Sequence, residues 1–489
     1  MFDVLKSIDI EILANGVVDV LEKIGFMCES EAILKAYEKG GAKVDYEKRV
    51  AKFPRKMTEE FVEEIRKEDK TSWYDQLSKE DKSVIYSGFQ PYSDMSEFKA
   101  PSKPYMFHNL SPFFYDDDTK ERRTGNCQDF ATLIKLGDTL HPEQGMGHAL
   151  ILSDSLSEIE PLEAAYTLLE YSCNPRGVYV QDVAQIEYLQ EIEEIAGITD
   201  PYWHWMANIC CNSPLKLDKV VCERLVYMVK TGKYPMKLAA MPVSGINIPI
   251  TTAGTIVMVS AEFVAVWMAA RLLQERKIPL TGMPILGTMD VRTAEVSFTA
   301  LDAALKRLAI CDFIKKWTGI RLSPGPGEWS PSKEPGLACT LEKAYFAMTA
   351  AAFTGHHTDI GVGHICAGEA ISCVQLLLDY DFTDSLKQLE SPKICKEDIC
   401  MDSILNIGFG LKSNYIEDNS TLDNMYSASW CPKLFSRAGY DKQKNDESII
   451  KANKKVKQLI CEYRKPEGMA DKLVKIRKVI ERAKKKLIA

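Results

Sequence analysis

Along most of the chain, short apolar runs alternate with longer stretches in which apolar residues recur at helical spacing. The unit is sharpest at 237–263, KLAAMPVSGINIPITTAGTIVMVSAEF. There the run Leu238-Ala239-Ala240-Met241 breaks at Pro242 and Gly245, and a loop follows with Asn247, Pro249, Thr251 and Thr252. From Ala253 the apolar positions Val257, Phe263, Trp267 and Leu272 continue without a breaker. That order predicts a strand, a loop at the strand's carboxyl end, and a helix.

The same unit recurs. Apolar runs at 105–110, 146–152, 178–182 and 203–210 precede helical patterns at 127–140, 162–171, through 195, and 218–229. After the 237–243 run and its long helix come 280–286 with 299–317, 320–323 with 341–352, and 357–362 with 369–378. Eight such alternations predict an α/β protein built on a (β/α)8 TIM barrel over 105–390, near the ~250 residues typical of that fold. A doubly wound open sheet is the competing architecture, but no G-x-G-x-x-G follows any of the runs. Residues 1–104 read as an N-terminal α/β extension, with helices at 8–23 and 30–38, short strands near Val44 and Val50, and a helix from Thr58. Residues 391–489 read as a helical C-terminal extension whose lysine-rich end is either a solvated helix pair on the barrel or a basic surface for an acidic partner.

Composition narrows the function. The chain is 46% hydrophobic and 27% charged, ordinary for a globular protein. A net charge of -8 argues against nucleic acid as a partner. The amino terminus has no basic region followed by an apolar core, and no apolar run reaches about 18 residues without a charge, so neither a secretory signal nor a membrane span is expected. The fourteen cysteines are irregularly spaced with no C-x-x-C, which points to free thiols in a reducing cytoplasm and to no structural zinc or tightly bound metal.

Ligands of such a barrel sit at the carboxyl ends of the strands, so strand alternation selects candidates. In 203–210 the odd positions suit the helix layer, which leaves His204, Met206, Asn208 and Cys210 facing inward. Val178 and Val180 face outward, leaving Tyr179 and Gln181 inside; likewise His357 and Asp359 face inward in HHTDIGVGH. An Asp beside a His fixes its tautomer or raises its pKa, an acid–base pair that would suit a lyase or hydrolase. There is no G-x-S-x-G, Walker loop or H-E-x-x-H. Aromatic residues are frequent instead: Phe89, Tyr92, Phe107, Phe113, Phe114, Tyr115, Tyr179 and Trp329 fall near expected loop or mouth positions. A cage of such rings attracts a quaternary ammonium, a cation with no hydrogen bonds to offer.

A longer series of stretches carries a resemblance. GGAKVD and FPRKM come first, then TKERRTGNCQDFATLIKLGDTL, AAMPVSGINIPITTAGTIVMVSAE and MDVRTAEVSFTALDAAL. SKEPGLACTLEKA, GHICAGEAISCVQLLLD and WCPKLFSR follow in order. Over most of 1–440 the chain resembles the trimethylamine–corrinoid methyltransferase superfamily, in its branch without pyrrolysine. The resemblance implies a TIM-barrel enzyme that moves a methyl group from a quaternary amine, such as glycine betaine, proline betaine, carnitine or γ-butyrobetaine, to the Co(I) corrinoid of a separate small protein. On that reading Asn208, Tyr179, Gln181, His357 and Asp359 are the substrate-binding candidates. Pro242, Gly245, Thr251 and Thr252 form the corrinoid-facing loop, and no catalytic residue is assigned. A homo-oligomer is compatible with the chain, as is a betaine-binding barrel without catalysis. Arg292 is expected either to meet a ligand or to hold its loop to Asp290. At 414–421, where the family often has H-Y-L-G-H-P-H-T, this chain reads NYIEDNST.

Overall fold

A computed structural model describes residues 4–75, 110–143, 145–200, 203–206, 208–232, 236, 238–274, 278–325, 327, 329–354, 363–386, 394–439, 442 and 446–488. The fold is mixed α/β, with 54% of the described residues in helix against 11% in strand, so long helices carry most of the packing. Helices follow the expected runs at Cys127–Leu140, Glu160–Tyr171, Ile186–Ala196, Lys219–Thr231, Thr252–Leu273, Leu301–Thr318, Leu337–Thr354 and Cys373–Ser385. Several start on side-chain caps, because Asn126, Asp218, Thr251 and Ser372 each accept a bond from an otherwise orphaned amide of the first turn. The last of these begins four residues later than its pattern predicts. Ala370–Ser372 is instead a strand, parallel to Phe113–Tyr115.

The expected closed barrel is not formed among the described residues. Their ladders divide into five separate sheets. Val178–Val180 pairs in parallel with His204–Met206, and Leu238–Ala240 lies between Ile209–Cys211 and Met283–Pro284, again in parallel. The runs at 146–152 and 320–323 form no strand. The first makes one bridge, Leu150 to Ser111, plus isolated bonds such as the His148 amide to the Gly177 carbonyl at 3.2 Å. The second gives the Ser323 amide to the Gly282 carbonyl at 3.3 Å. Both are short apolar runs, and periodicity alone does not separate a ladder strand from buried coil.

The Thr252–Leu273 helix is the hub. It has one long apolar surface all round, long and apolar enough to cross a membrane, and 72% of that stretch is buried inside the protein. The helices Ser7–Lys23, Glu31–Lys39, Lys219–Thr231 and Leu301–Thr318 pack around it. Gly16 makes the closest approach possible, since a Cβ there would lie 2.9 Å from Cγ2 of Val257. Trp267 donates to the Thr281 carbonyl at 2.9 Å, and Tyr37 to the Ala265 carbonyl at 2.9 Å. Glu262 is the one buried carboxyl on this helix. It accepts from Ser213 Oγ and the Leu215 amide at 2.9 Å each, and burial pushes its pKa up to about 7.

The N-terminal strands Phe26–Cys28, Lys43–Asp45 and Val50–Lys52 form a sheet with Lys216–Leu217, which ties 1–67 to the rest. Cys28 Sγ lies 3.4 Å from Cys222 Sγ across that seam, and both thiols are free. At the other end, Ser448–Glu462 packs on Cys127–Leu140 and Cys373–Ser385, and Ala470–Leu487 on Glu160–Tyr171 and Ile186–Ala196. Much of the tail's basic charge meets acids of its own chain: Lys457 pairs with Asp118, Lys465 with Glu170, Arg477 with Glu163 and Lys486 with Glu187. The tail is thus a pair of helices packed on the chain.

Candidate active site

Register defines one inner face. Ala239 is aligned with Cys210 on one side and Met283 on the other, so these three side chains share a face of the sheet. They belong to a small cluster with Ile285, Trp329 and Phe298, separate from the main core. Ile209, Cys211, Leu238 and Ala240 join the main core on the opposite face. The Trp329 ring meets Phe298 edge-on at 5.2 Å, and its Nε1 is buried without a hydrogen-bond partner. Asn208 stands two residues before Cys210, half-buried, and its Oδ1 is likewise buried and unpartnered. Unsatisfied buried polar atoms cost free energy, so each marks a place where a ligand or water completes the structure.

The neighbouring strand follows its alternation over Val178–Val180 and departs from it at Gln181. Val178 and Val180 enter the main core, whereas Tyr179 is buried outside it. Gln181 is exposed, and its amide donates to Gln185 Oε1 at 3.2 Å. His148 Nδ1 accepts from the Tyr179 amide at 3.4 Å, while its Nε2 lies 2.9 Å from the buried Glu160. His204 corrects the inward assignment. Its ring is buried against Glu193 of the Ile186–Ala196 helix, which also accepts from the His204 amide at 3.1 Å. Here a carboxylate on the helix layer overrides simple strand alternation.

Sequence reasoning missed Arg224. It lies on Lys219–Thr231, between Val221 and Leu225 on the helix face turned inward, and is 8% exposed. Its Nε is buried with no hydrogen-bond partner. Burial pushes its pKa down, while Cys210, Asp218, Tyr179 and Asp182 nearby act in the opposite direction. An arginine inside the apolar stripe at Val221, Leu225 and Met228 was the available signal. A buried guanidinium with no carboxylate bonded to it is a receptor for a carboxylate.

The 242–252 loop is knitted to itself. Pro242 is buried and its carbonyl accepts from the Gly287 amide at 2.9 Å. Gly245 has φ +93, and its amide donates to the Ile248 carbonyl at 2.9 Å. A Cβ there would make ordinary contact with Ile250 and Met289 at 3.4 Å, so it is the positive φ rather than crowding that favours glycine. Thr251 Oγ1 caps the long helix by accepting from the Gly254 amide at 3.2 Å, and Thr252 is the first residue of that helix. Beneath the loop, the buried Lys306 donates to Ser244 Oγ at 2.8 Å, and burial pushes its pKa down.

His357 and Asp359 lie outside the described residues, as do Phe89, Tyr92 and Phe107. Downstream, His364 is fully buried with Nδ1 unpartnered; burial, then the nearby Lys343, holds its pKa down at about 3. Lys343 forms a buried pair with Asp379 at 2.5 Å. Phe113 and Phe114 are covered by the guanidinium groups of Arg122 and Arg123, at 4.5 and 5.3 Å, so those two faces are already occupied by cations of the chain. Tyr115 is buried in a cluster with Cys339 and Cys366. Arg292 is exposed and turns back on Asp290, with Nη2 at 2.8 Å from the carboxylate, so it holds its loop. Among the described residues, no group of three or more His, Cys, Asp or Glu is placed to hold a metal.

Comparison with known proteins adds a family. A family model described as trimethylamine methyltransferase (MTTB) matches residues 1–487. The trimethylamine methyltransferase MttB of Desulfitobacterium hafniense is 22% identical over 429 residues, 85% of this chain and 80% of that protein. MttB2 of Methanosarcina mazei is 24% identical over 315 residues, covering 62% and 60%. MttB of Methanosarcina thermophila is 26% identical over 209 residues, 41% of each chain.

Proposed function

The chain belongs to the trimethylamine methyltransferase family, and on that premise we propose that it transfers a methyl group from glycine betaine or a related betaine to the corrinoid of a separate small protein. The observation that carries the betaine reading is Arg224, a buried guanidinium without a hydrogen-bonded carboxylate, within electrostatic reach of Tyr179 and Cys210. A betaine brings a carboxylate for that group and a cationic head that needs only an aromatic, apolar surround. Tyr179, Trp329 and Phe298 are of the right type for the head. Asn208 and Gln181 stand on the same two strand ends, and His357 and Asp359 remain substrate-binding proposals from sequence.

The chemistry asks little acid or base of the chain. The C–N bond breaks with its electron pair left on nitrogen, so the departing amine is neutral and needs no proton. The reduced corrinoid of the partner supplies the electron pair for the new bond to carbon. The chain's task is to orient the N–CH3 axis and exclude water. Pro242, Gly245, Thr251 and Thr252 are proposed to face the partner's corrin, with the loop's rigidity, rather than a stripped surface, as the useful property. A (β/α)8 plan over 105–390, flanked by 1–104 and 391–489, is supported by the parallel pairs, the parallel bridge at 111 and the lone backbone bonds at 148 and 323. A Co(I) partner and fourteen free thiols suit the reducing cytoplasm.

The test is anaerobic. Purified protein is mixed with cob(I)alamin and, in turn, glycine betaine, proline betaine, carnitine, γ-butyrobetaine, choline and trimethylamine. Methylcobalamin is expected from at least one carboxylated amine in preference to choline and trimethylamine. Arg224→Met is expected to raise KM for that substrate about tenfold or more, with kcat changed less. Transfer from no quaternary amine overturns the reading, and an unchanged KM removes Arg224 from it.

A further inference from the structure

The segment 394–426 has no core. Among its residues none is buried, and among the described residues its hydrogen bonds stay within it apart from those that Asn424 accepts from the adjoining Ser427 and Ala428. Its short helices Met401–Ile407 and Asn419–Asn424 bury nothing, and Asn419–Asn424 packs chiefly on the neighbouring turn Tyr415–Glu417. Yet it is rich in large apolar side chains. Leu405, Phe409, Leu411, Ile416 and Tyr426 are all largely exposed, Phe409 at 97%. The chain rejoins the core only at Leu434, where the amides of Lys433 and Leu434 donate to Asp381.

A second surface of the same chain has the matching deficit. Leu301 and Leu305 lie exposed at i and i+4 on Leu301–Thr318, and Leu337, Leu341 and Met348 share a face of Leu337–Thr354. These two helices pack on one another, so the exposed leucines extend over adjacent elements.

We infer that 394–426 is an exchange arm that seats on the 301–318/337–354 face of a second copy of this chain. Area supports the assignment: twelve large apolar side chains of the arm are exposed, on the order of 1,000 Å² together, above the ~800 Å² per partner of a standard stable interface. Composition supports permanence. A partner that comes and goes, as a shuttling corrinoid protein must, would leave these side chains in water for part of each cycle, and so much exposed apolar surface is unusual on free proteins. An identical chain is always at hand, carries the receiving face, and has both surfaces covered by one contact.

The test is the mass in solution of the full chain, by light scattering and sedimentation at micromolar concentration. Three proteins are compared: the natural chain, an arm variant (Leu405→Glu with Phe409→Asp) and a face variant (Leu305→Glu with Leu341→Glu), each with its far-ultraviolet circular dichroism and melting curve. The natural chain is expected to be a dimer or larger, and each variant a folded monomer with dissociation weakened 100-fold or more. Mixing the two variants is expected to restore association, because one still offers an intact face and the other an intact arm. A monomeric natural chain overturns the inference. So does a face variant that stays associated, which would mean that arm packs on arm. If either double variant melts early, the single changes Phe409→Asp and Leu341→Glu give the same readout.

Discussion

Two stretches of this chain are apolar beyond what a surface helix needs, and they meet opposite fates. Among the described residues, Thr252–Leu273 is enclosed by four helices of its own chain, while no residue of 394–426 is buried. Hydrophobic burial is non-directional, so an apolar sequence states a demand without saying what satisfies it. For the long helix the satisfying groups are at hand, such as Gly16 against Val257 and Tyr37 against Ala265. For the arm they are not, and the same physics then points outside the chain.

If that contrast is right, the two stretches respond differently to the same kind of change. The largest effect is expected at Trp267, fully buried and bonded to Thr281: Trp267→Ala should cost about 3–5 kcal/mol in urea unfolding. Glu262 gives the next, through pH. Its folded pKa of about 7 stands above the ordinary glutamate value of 4.5, so its contribution is complete below pH 4.5 and is lost as pH rises through 7. Wild-type stability should therefore fall by up to about 3 kcal/mol between pH 5 and 8 on account of this group, and Glu262→Gln should flatten that slope. Gly16→Ala sets a methyl 2.9 Å from Val257 and should cost about 1–3 kcal/mol, read from the same urea transition. The smallest effect belongs to the arm. Phe409→Ala should change unfolding of the dissociated chain by less than about 0.5 kcal/mol, and a cost near that of Trp267→Ala would erase the contrast.

The helices were legible in the sequence because their apolar positions recur at 3.6 residues over ten or more positions and several begin at a capping Asn, Asp, Thr or Ser. The strands were legible only in part. Runs such as 146–152 and 320–323 have the composition of strands but too little length to fix a ladder, and 370–372 was absorbed into a helix that starts at Ser372's cap. Closure of a barrel is a non-local property, which no window of sequence expresses. The inward face was legible where alternation rules it, at Tyr179 and Cys210, but not at Gln181, which is exposed. It was misread at His204, because Glu193, eleven residues earlier, supplies a partner from the helix layer. Arg224 went unnoticed because a charged residue in an apolar stripe looks like an interruption until its surroundings are known. At Gly245 the φ of +93 is by itself reason for a glycine, which composition does not reveal.

Transfer of an intact methyl group is the claim on which the account stands, and labelled substrate tests it most directly. With betaine carrying 13C in its N-methyl groups and cob(I)alamin in stoichiometric amount, the account predicts 13C-methylcobalamin and the demethylated tertiary amine in a 1:1 ratio. Betaine that is bound but never demethylated, or consumed without label reaching the corrinoid, would contradict it.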